Sequence, residues 1–212
     1  MALRKPFPFR INRKLRWHVL DREAIFRSPV FTMFRSTRLF PCPEFGPEEK
    51  RGDFYYFDSN DWVTVIPLIR NQETGQYDVV LVEQFRHGSE QPVLEFPAGV
   101  IDKGEEPQHC ALREMAEETG YGEESVLRFE QIGVSYPNPA IMSNRTFTYG
   151  VILDENAVQK ELFLDELEAL QTHRLPIAEL KGLILCHASP FNNALMLQAM
   201  FWLENAKLFH SL

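Results

Sequence analysis

The chain has 212 residues, of which 44% are hydrophobic and 25% charged, with a formal net charge of −8. That is enough for one large domain, or a domain with an extension, around a real core; no apolar run approaches the ~20 residues that cross a bilayer, and net acidity speaks against binding nucleic acid through its phosphates. Cys42, Cys110 and Cys186 are odd in number and far apart, so neither a disulfide framework nor a metal spacing follows, and a reducing, cytoplasmic setting is expected.

At the N-terminus, "MALRKPFPFRINRKLRWHVL" lacks the apolar segment of a secretory signal and carries six basic residues before Asp21, which suits a solvated basic arm or edge strand. Residues 24–40, "AIFRSPVFTMFRSTRLF", are rich in β-branched and aromatic residues and predict strands. The "PCPEFGPEEKRGD" that follows reads as a loop. We place a boundary near residue 58, giving a β-rich N-terminal hairpin extension over 1–58 and a main domain over 59–212. Within the latter, Trp62–Ile69 ("WVTVIPLI") predicts a buried strand, "NQETGQ" a turn and Tyr77–Phe85 its hairpin partner. Phe147–Leu153 predicts another strand, and Pro190–Lys207 a helix. Strands mixed with a few helices imply an α/β (α+β) fold layered around one sheet.

The stretch "GVIDKGEEPQHCALREMAEETGY", Gly99–Tyr121, raises a separate question. Pro107 suits the first turn of a helix and Gly120 the residue past its end. At ~100° per residue Leu112, Met115, Ala116 and Thr119 share a stripe expected to face the core. Glu114, Glu117 and Glu118 are expected on the opposite side, where like charges at i,i+3 and i,i+4 cost a few tenths of a kcal/mol each. A hard divalent cation resolves that conflict, because Mg²⁺ takes carboxylate oxygens together with substrate phosphate oxygens. Gly99 in the preceding "FPAGVIDKGE" allows unusual dihedrals, letting a backbone carbonyl approach the same ion.

Gly99, Glu105 and the run Arg113-Glu114-Met115-Ala116-Glu117-Glu118-Thr119-Gly120-Tyr121 resemble the Nudix box, G-x5-E-x7-R-E-U-x-E-E-x-G-U. All seven fixed letters are present, a chance match on the order of one in a million at average residue usage; the departure is Tyr121, where the family prefers an aliphatic residue. The resemblance implies a mixed β-sheet sandwiched between α-helices, with the box as loop–helix–loop. It also implies a catalytic set of Glu105, Arg113, Glu114, Glu117 and Glu118. Mg²⁺, or alternatively Mn²⁺, would be held by Glu114, Glu117, Glu118 and the backbone carbonyl of Ala98. Arg113 would orient the cluster by pairing with Glu105 and Glu117.

"LVEQFRHG" and "LEFPAG" are similar to the ADP-ribose and nucleotide-sugar pyrophosphatase branch. That likeness implies that Arg86 binds the substrate diphosphate and that Glu95, beside the metal turn, binds substrate or a water-bridged ion. Downstream, "NPAIMSN" departs from the branch's pattern, and Asn138, Ser143 and Asn144 offer neutral groups to a sugar or simply make turns. No carboxylate lies between Glu130 and Asp154, so a catalytic base is sought among Glu161, Glu166 and Glu168, or is absent. The branch implies Mg²⁺-dependent hydrolysis of ADP-ribose or a related nucleoside diphosphate sugar by a homodimer formed through the N-terminal segment. The alternatives within the family are dinucleoside polyphosphate, coenzyme A or RNA 5′-end substrates, or a nucleotide sensor without catalysis.

Overall fold

The computed structural model describes residues 15–40, 46, 48–186 and 193–206. The chain divides into two units, Met1–Ser59 with Ala140–Ser143, and Asn60–Pro139 with Asn144–Leu212. The basic residues ahead of Leu15, Cys42, and the ends of the predicted 190–207 helix lie outside the described residues.

The first unit is an antiparallel sheet of β1 (His18–Arg27), β2 (Thr32–Phe40) and β3 (Lys50–Asp58), in that order. The sequence had suggested a two-stranded hairpin followed by a loop through Asp53. Instead Lys50–Asp53 continue the ladder, with Arg51 opposite Leu39 and Asp53 opposite Thr37. The Thr37 hydroxyl donates to Asp53 Oδ1 at 2.6 Å, so the charges that looked loop-like are cross-strand partners. On one face the Arg22 guanidinium lies 3.8 Å from the centre of the Phe34 ring, which stacks on Tyr56 at 5.6 Å. β1 leaves Val19, Leu20, Ile25 and Phe26 exposed. Residues 140–143 attach to β3: Phe57 N–H donates to Ile141 O at 2.8 Å, and Ser143 N–H to Phe57 O at 3.0 Å.

The second unit contains β4 (Trp62–Arg70), β5 (Tyr77–Arg86), β6 (Gln91–Glu95), β7 (Ala98–Val100), α1 (Pro107–Thr119), β8 (Val126–Ser135), β9 (Thr146–Leu153), β10 (Leu170–Pro176), α2 (Ile177–Leu185) and α3 (Ala194–Asn205). The strands run β10-β5-β4-β9-β8, with β6 added to β5 and β7 to β4. Only β4 and β9 pair in parallel among these, so the sheet is mixed.

β4 reads as a continuous apolar run because both of its faces are covered. Its alternate residues Val63, Val65 and Ile69 pack with Cys110, Ala111 and Met115 of α1. Ile66 and Leu68 join Leu180 of α2 and Met196, Ala199 and Leu203 of α3 on the other side. Helices therefore sandwich the sheet. Among the described residues no helix is long and apolar enough to cross a membrane.

α1 begins at Pro107 and ends on Gly120, which takes the left-handed conformation at φ 74° and donates its N–H to Ala116 O at 3.0 Å. Its buried residues are Cys110, Ala111, Met115, Glu118 and Thr119, while Leu112 and Ala116 are only half-buried. Of the expected core stripe Met115 and Thr119 are buried, whereas Leu112 and Ala116 give way to Cys110, Ala111 and Glu118. The helix is rotated so that positions 111, 115 and 118, one i,i+4,i+7 row, meet the sheet. Glu118 is carried inward with them.

Candidate active site

The acidic cluster forms where β7 crosses the start of β4, with Gly99 opposite Val63 and Ala98 opposite Thr64. The Ala98 N–H donates to Glu118 Oε2 at 2.9 Å, and the Glu118 residue is only 3% exposed. Glu114 lies against Gly99: a Cβ built at that position would come within 2.0 Å of the Glu114 carboxyl carbon. Gly99 is required for space; it is not among the glycines of positive φ, contrary to the dihedral role suggested by the sequence.

One guanidinium organises the outer carboxylates. Arg113 Nη1 donates to Glu114 Oε1 at 2.8 Å and to Glu117 Oε2 at 2.9 Å. Its other edge forks onto Glu105, Nε to Oε1 at 3.1 Å and Nη2 to Oε2 at 3.2 Å. Glu105 Oε2 also accepts the Asp102 N–H at 3.0 Å, so the loop before α1 is tied to the helix through Arg113. The hydrogen bond from Arg113 lowers the pKa of Glu105, and the same bond is the main cause that raises the pKa of Arg113. Cys110, beside them, is inert: burial first, then the Glu105 charge, pushes its thiol up to about 12.

Charge is poorly balanced deeper in. Burial, followed by the Glu114 and Glu168 charges, pushes Glu118 up to about 8, against the opposing effects of the Ala98 N–H and Arg86. Burial is also the main cause that raises Glu114, with Arg113 opposing and Glu117 and Glu168 adding to it. The site therefore gathers Arg86, Ala98, Arg113, Glu114, Glu117, Glu118 and Glu168.

Arg86, at the end of β5, pairs through Nε with Glu95 Oε1. Glu95, at the end of β6, is 6% exposed, and its Oε2 accepts from Asn193 Nδ2 at 2.6 Å. Asn193 is a site residue whose one signal in the sequence is its place just ahead of an apolar helical run, where an asparagine caps.

The segment after β9 closes over the C-terminal end of α1, whose last carbonyls have no partner within the helix. Gln159 Nε2 donates to Thr119 O at 3.0 Å, Lys160 N–H to Gly120 O at 2.9 Å and Phe163 N–H to Glu117 O at 3.0 Å. Lys160 also pairs with Glu124. A groove of about 630 Å³ runs beside this strap, lined by Arg113, Glu117, Lys160, Glu161 and Phe163 among others. Of the three candidate bases, Glu161 lines this outer groove, whereas Glu168 acts electrostatically on both Glu114 and Glu118. The backbone N–H of Asp165 donates to Glu168 Oε2 at 3.0 Å. Of the residues considered for sugar contact, Ser143 gives its hydroxyl to Asp58 Oδ1 at 2.6 Å, and Asn144 is buried with neither amide atom paired.

The donors suit a hard cation, being carboxylate oxygens beside the backbone of β7. Burial raises the pKa of both Glu114 and Glu118 against the partial offset of Arg113 and Arg86, and the Glu114 carboxylate takes up the room that the missing side chain of Gly99 leaves. The side chains point to separate partners: among the described residues no three His, Cys, Asp or Glu converge on one centre. Arg113 draws Glu114 and Glu117 outward while Ala98 holds Glu118 inward.

A NUDIX domain family model matches residues 60–195. The ADP-ribose pyrophosphatase of Bacillus subtilis (strain 168) is 29% identical over 111 residues, 50% of this chain and 58% of that one. The ADP-sugar pyrophosphatase of Mus musculus is 52% identical over 64 residues, 30% of this chain and 28% of its own length. The chain thus spans little more than half of the first relative and less than a third of the second. The ADP compounds hydrolase NudE of Escherichia coli (strain K12) is 26% identical over 191 residues, 88% of this chain and 92% of that one. A crystal structure of an ADP compounds hydrolase superposes with a TM-score of 0.70 at 23% identity, covering 89% of this chain and 92% of the other.

Proposed function

The chain belongs to the NUDIX domain family, and from that premise we propose that it hydrolyses ADP-ribose or a related nucleoside diphosphate sugar in a divalent-metal-dependent reaction. Water attacks one phosphorus, the bridging P–O bond breaks, and the products are a nucleoside monophosphate and a sugar phosphate. The observation that carries this reading is the under-compensated carboxylate pair of half-buried Glu114 and buried Glu118 against Ala98 and Gly99 of β7. Relatives named for ADP-ribose, ADP-sugar and ADP-compound hydrolysis point to the substrate class.

In this proposal Glu114, Glu117, Glu118 and the Ala98 carbonyl hold Mg²⁺ or Mn²⁺. When bound, such an ion neutralises the diphosphate and activates it and water toward each other. Arg113, anchored on Glu105, keeps Glu114 and Glu117 in register. Arg86 binds the diphosphate, for which a guanidinium offers matched parallel donors, and Glu95 orients it. Glu168 takes the proton from the attacking water; its electrostatic reach to Glu114 and Glu118 favours it over Glu161 and Glu166. We also propose a homodimer, because a long outer strand exposing Val19, Leu20, Ile25 and Phe26 invites pairing with a second copy, and a cytoplasmic setting, in keeping with three widely spaced cysteines.

A panel of ADP-ribose, ADP-glucose, GDP-mannose, diadenosine polyphosphates and coenzyme A, incubated with Mg²⁺ and a coupled phosphatase, tests the reading. Release of phosphate from the nucleoside diphosphate sugars supports it. Turnover confined to the other compounds moves the substrate class, and silence across the panel favours a nucleotide-binding sensor.

A further inference from the structure

We propose that Asn193 is a positioning residue of this site: its side-chain amide holds Glu95 so that Arg86 meets the substrate diphosphate with its terminal guanidinium nitrogens. The assignment rests on the hydrolase reading above and adds the N-cap residue of α3, an element outside the Nudix motif.

Two halves of one amide do two jobs. Asn193 Oδ1 caps α3 by accepting the Leu195 N–H at 2.9 Å. Capping needs only an oxygen, and serine or aspartate serves as well. The nitrogen is free for something else, and it donates to Glu95 Oε2 at 2.6 Å. The Glu95 side chain is more than nine-tenths buried and both of its oxygens are engaged, one by Asn193 and one by Arg86 Nε. Arg86 is itself half-exposed. Its pairing with Glu95 runs through Nε, which holds the plane of the guanidinium and leaves Nη1 and Nη2 outside that pair.

That arrangement leaves the end-on pair of donors available for two phosphoryl oxygens. Without the Asn193 donor, Glu95 retains a single partner, its rotamer loosens and the Arg86 plane loosens with it. Small errors in a positioning group are costly to productive binding.

Steady-state kinetics on ADP-ribose with Mg²⁺ test the assignment. Asn193→Ser keeps a capping oxygen and removes the amide nitrogen that donates to Glu95. It should raise KM about tenfold, the loss of one hydrogen bond to a charged group, with kcat and Tm nearly unchanged. Asn193→Asp also keeps the cap, sets a carboxylate against Glu95, and should raise KM further. In a Glu95→Ala background Asn193→Ser should add nothing, because the two act through one chain of contacts. A wild-type KM in Asn193→Ser, a fall in Tm with KM unchanged, or a KM effect that adds in full to that of Glu95→Ala overturns the assignment while the hydrolase reading stands. A wild-type chain that turns over no nucleoside diphosphate sugar withdraws that reading, and this assignment with it.

Discussion

On the α2–α3 side of the large sheet, Ile66, Leu68, Val79 and Leu81 meet Leu180, Met196 and Leu203 in an apolar layer. On the α1 side the same strands present Val63, Val65 and Val80 to Met115, and three residues later the helix sinks Glu118 beside them. Packing alone would choose an apolar side chain at 118, since a buried carboxylate without a paired cation costs several kcal/mol. One face is composed for cohesion. The other retains a local instability whose relief requires a positive ligand, which is the property a diphosphate–metal site needs.

The contrast can be broken most sharply at Glu118 itself. Glu118→Gln should lower turnover of ADP-ribose by roughly a thousandfold, about 4 kcal/mol in the barrier, and leave the fold intact because a Gln oxygen can still accept from Ala98. Stopped-assay kinetics together with circular dichroism check both halves. On the opposite face, Leu68→Ala should cost about 2–5 kcal/mol of stability through the cavity it leaves, with kcat of the folded fraction unchanged; denaturant titration reads the first and active-site-normalised rates the second. Gly99→Ala forces the Glu114 carboxylate from its place and should reduce kcat/KM by about 10- to 100-fold, the scale expected when a functional group is misplaced by an ångström, with little change in Tm.

The smallest effect is a pH dependence. Glu118 is raised from 4.5 to about 8 in the folded chain, so between those values the native state binds a proton that the unfolded state has released. Stability therefore falls as pH rises through that window. In EDTA, wild type and Glu118→Gln should melt together at pH 4.5, and the variant should melt several degrees higher at pH 8. Parallel melting curves at both values would remove the claim that this carboxylate is a burden on the fold.

Much of this contrast was legible in the residues. The run Trp62–Ile69 and its partner Tyr77–Phe85 are strong strand signals because their apolar runs are long enough to be buried on both faces, and Pro107 and Gly120 mark the ends of the helix. The helix's rotation was not. Position 118 sits at the margin between the apolar stripe and the acidic side, and the small Cys110 and Ala111 are buried where the larger Leu112 is not. β3 hid behind Lys50, Arg51 and Asp53, whose charges suit an exposed strand as well as a loop. β6 and β7 are too short to show a period. Glu168 could not be separated from Glu161 and Glu166, since loop residues carry no periodicity that tells which one faces the cluster.

The central claim is that the carboxylates of α1 bind a divalent cation. Titrating Mn²⁺ into the metal-free chain and following the free-ion signal by electron paramagnetic resonance measures this directly, without requiring any substrate. The account expects saturable binding to wild type that is lost in Glu114→Gln/Glu118→Gln, with the variant's circular dichroism unchanged. Equal Mn²⁺ uptake by the wild type and the folded double variant would contradict it.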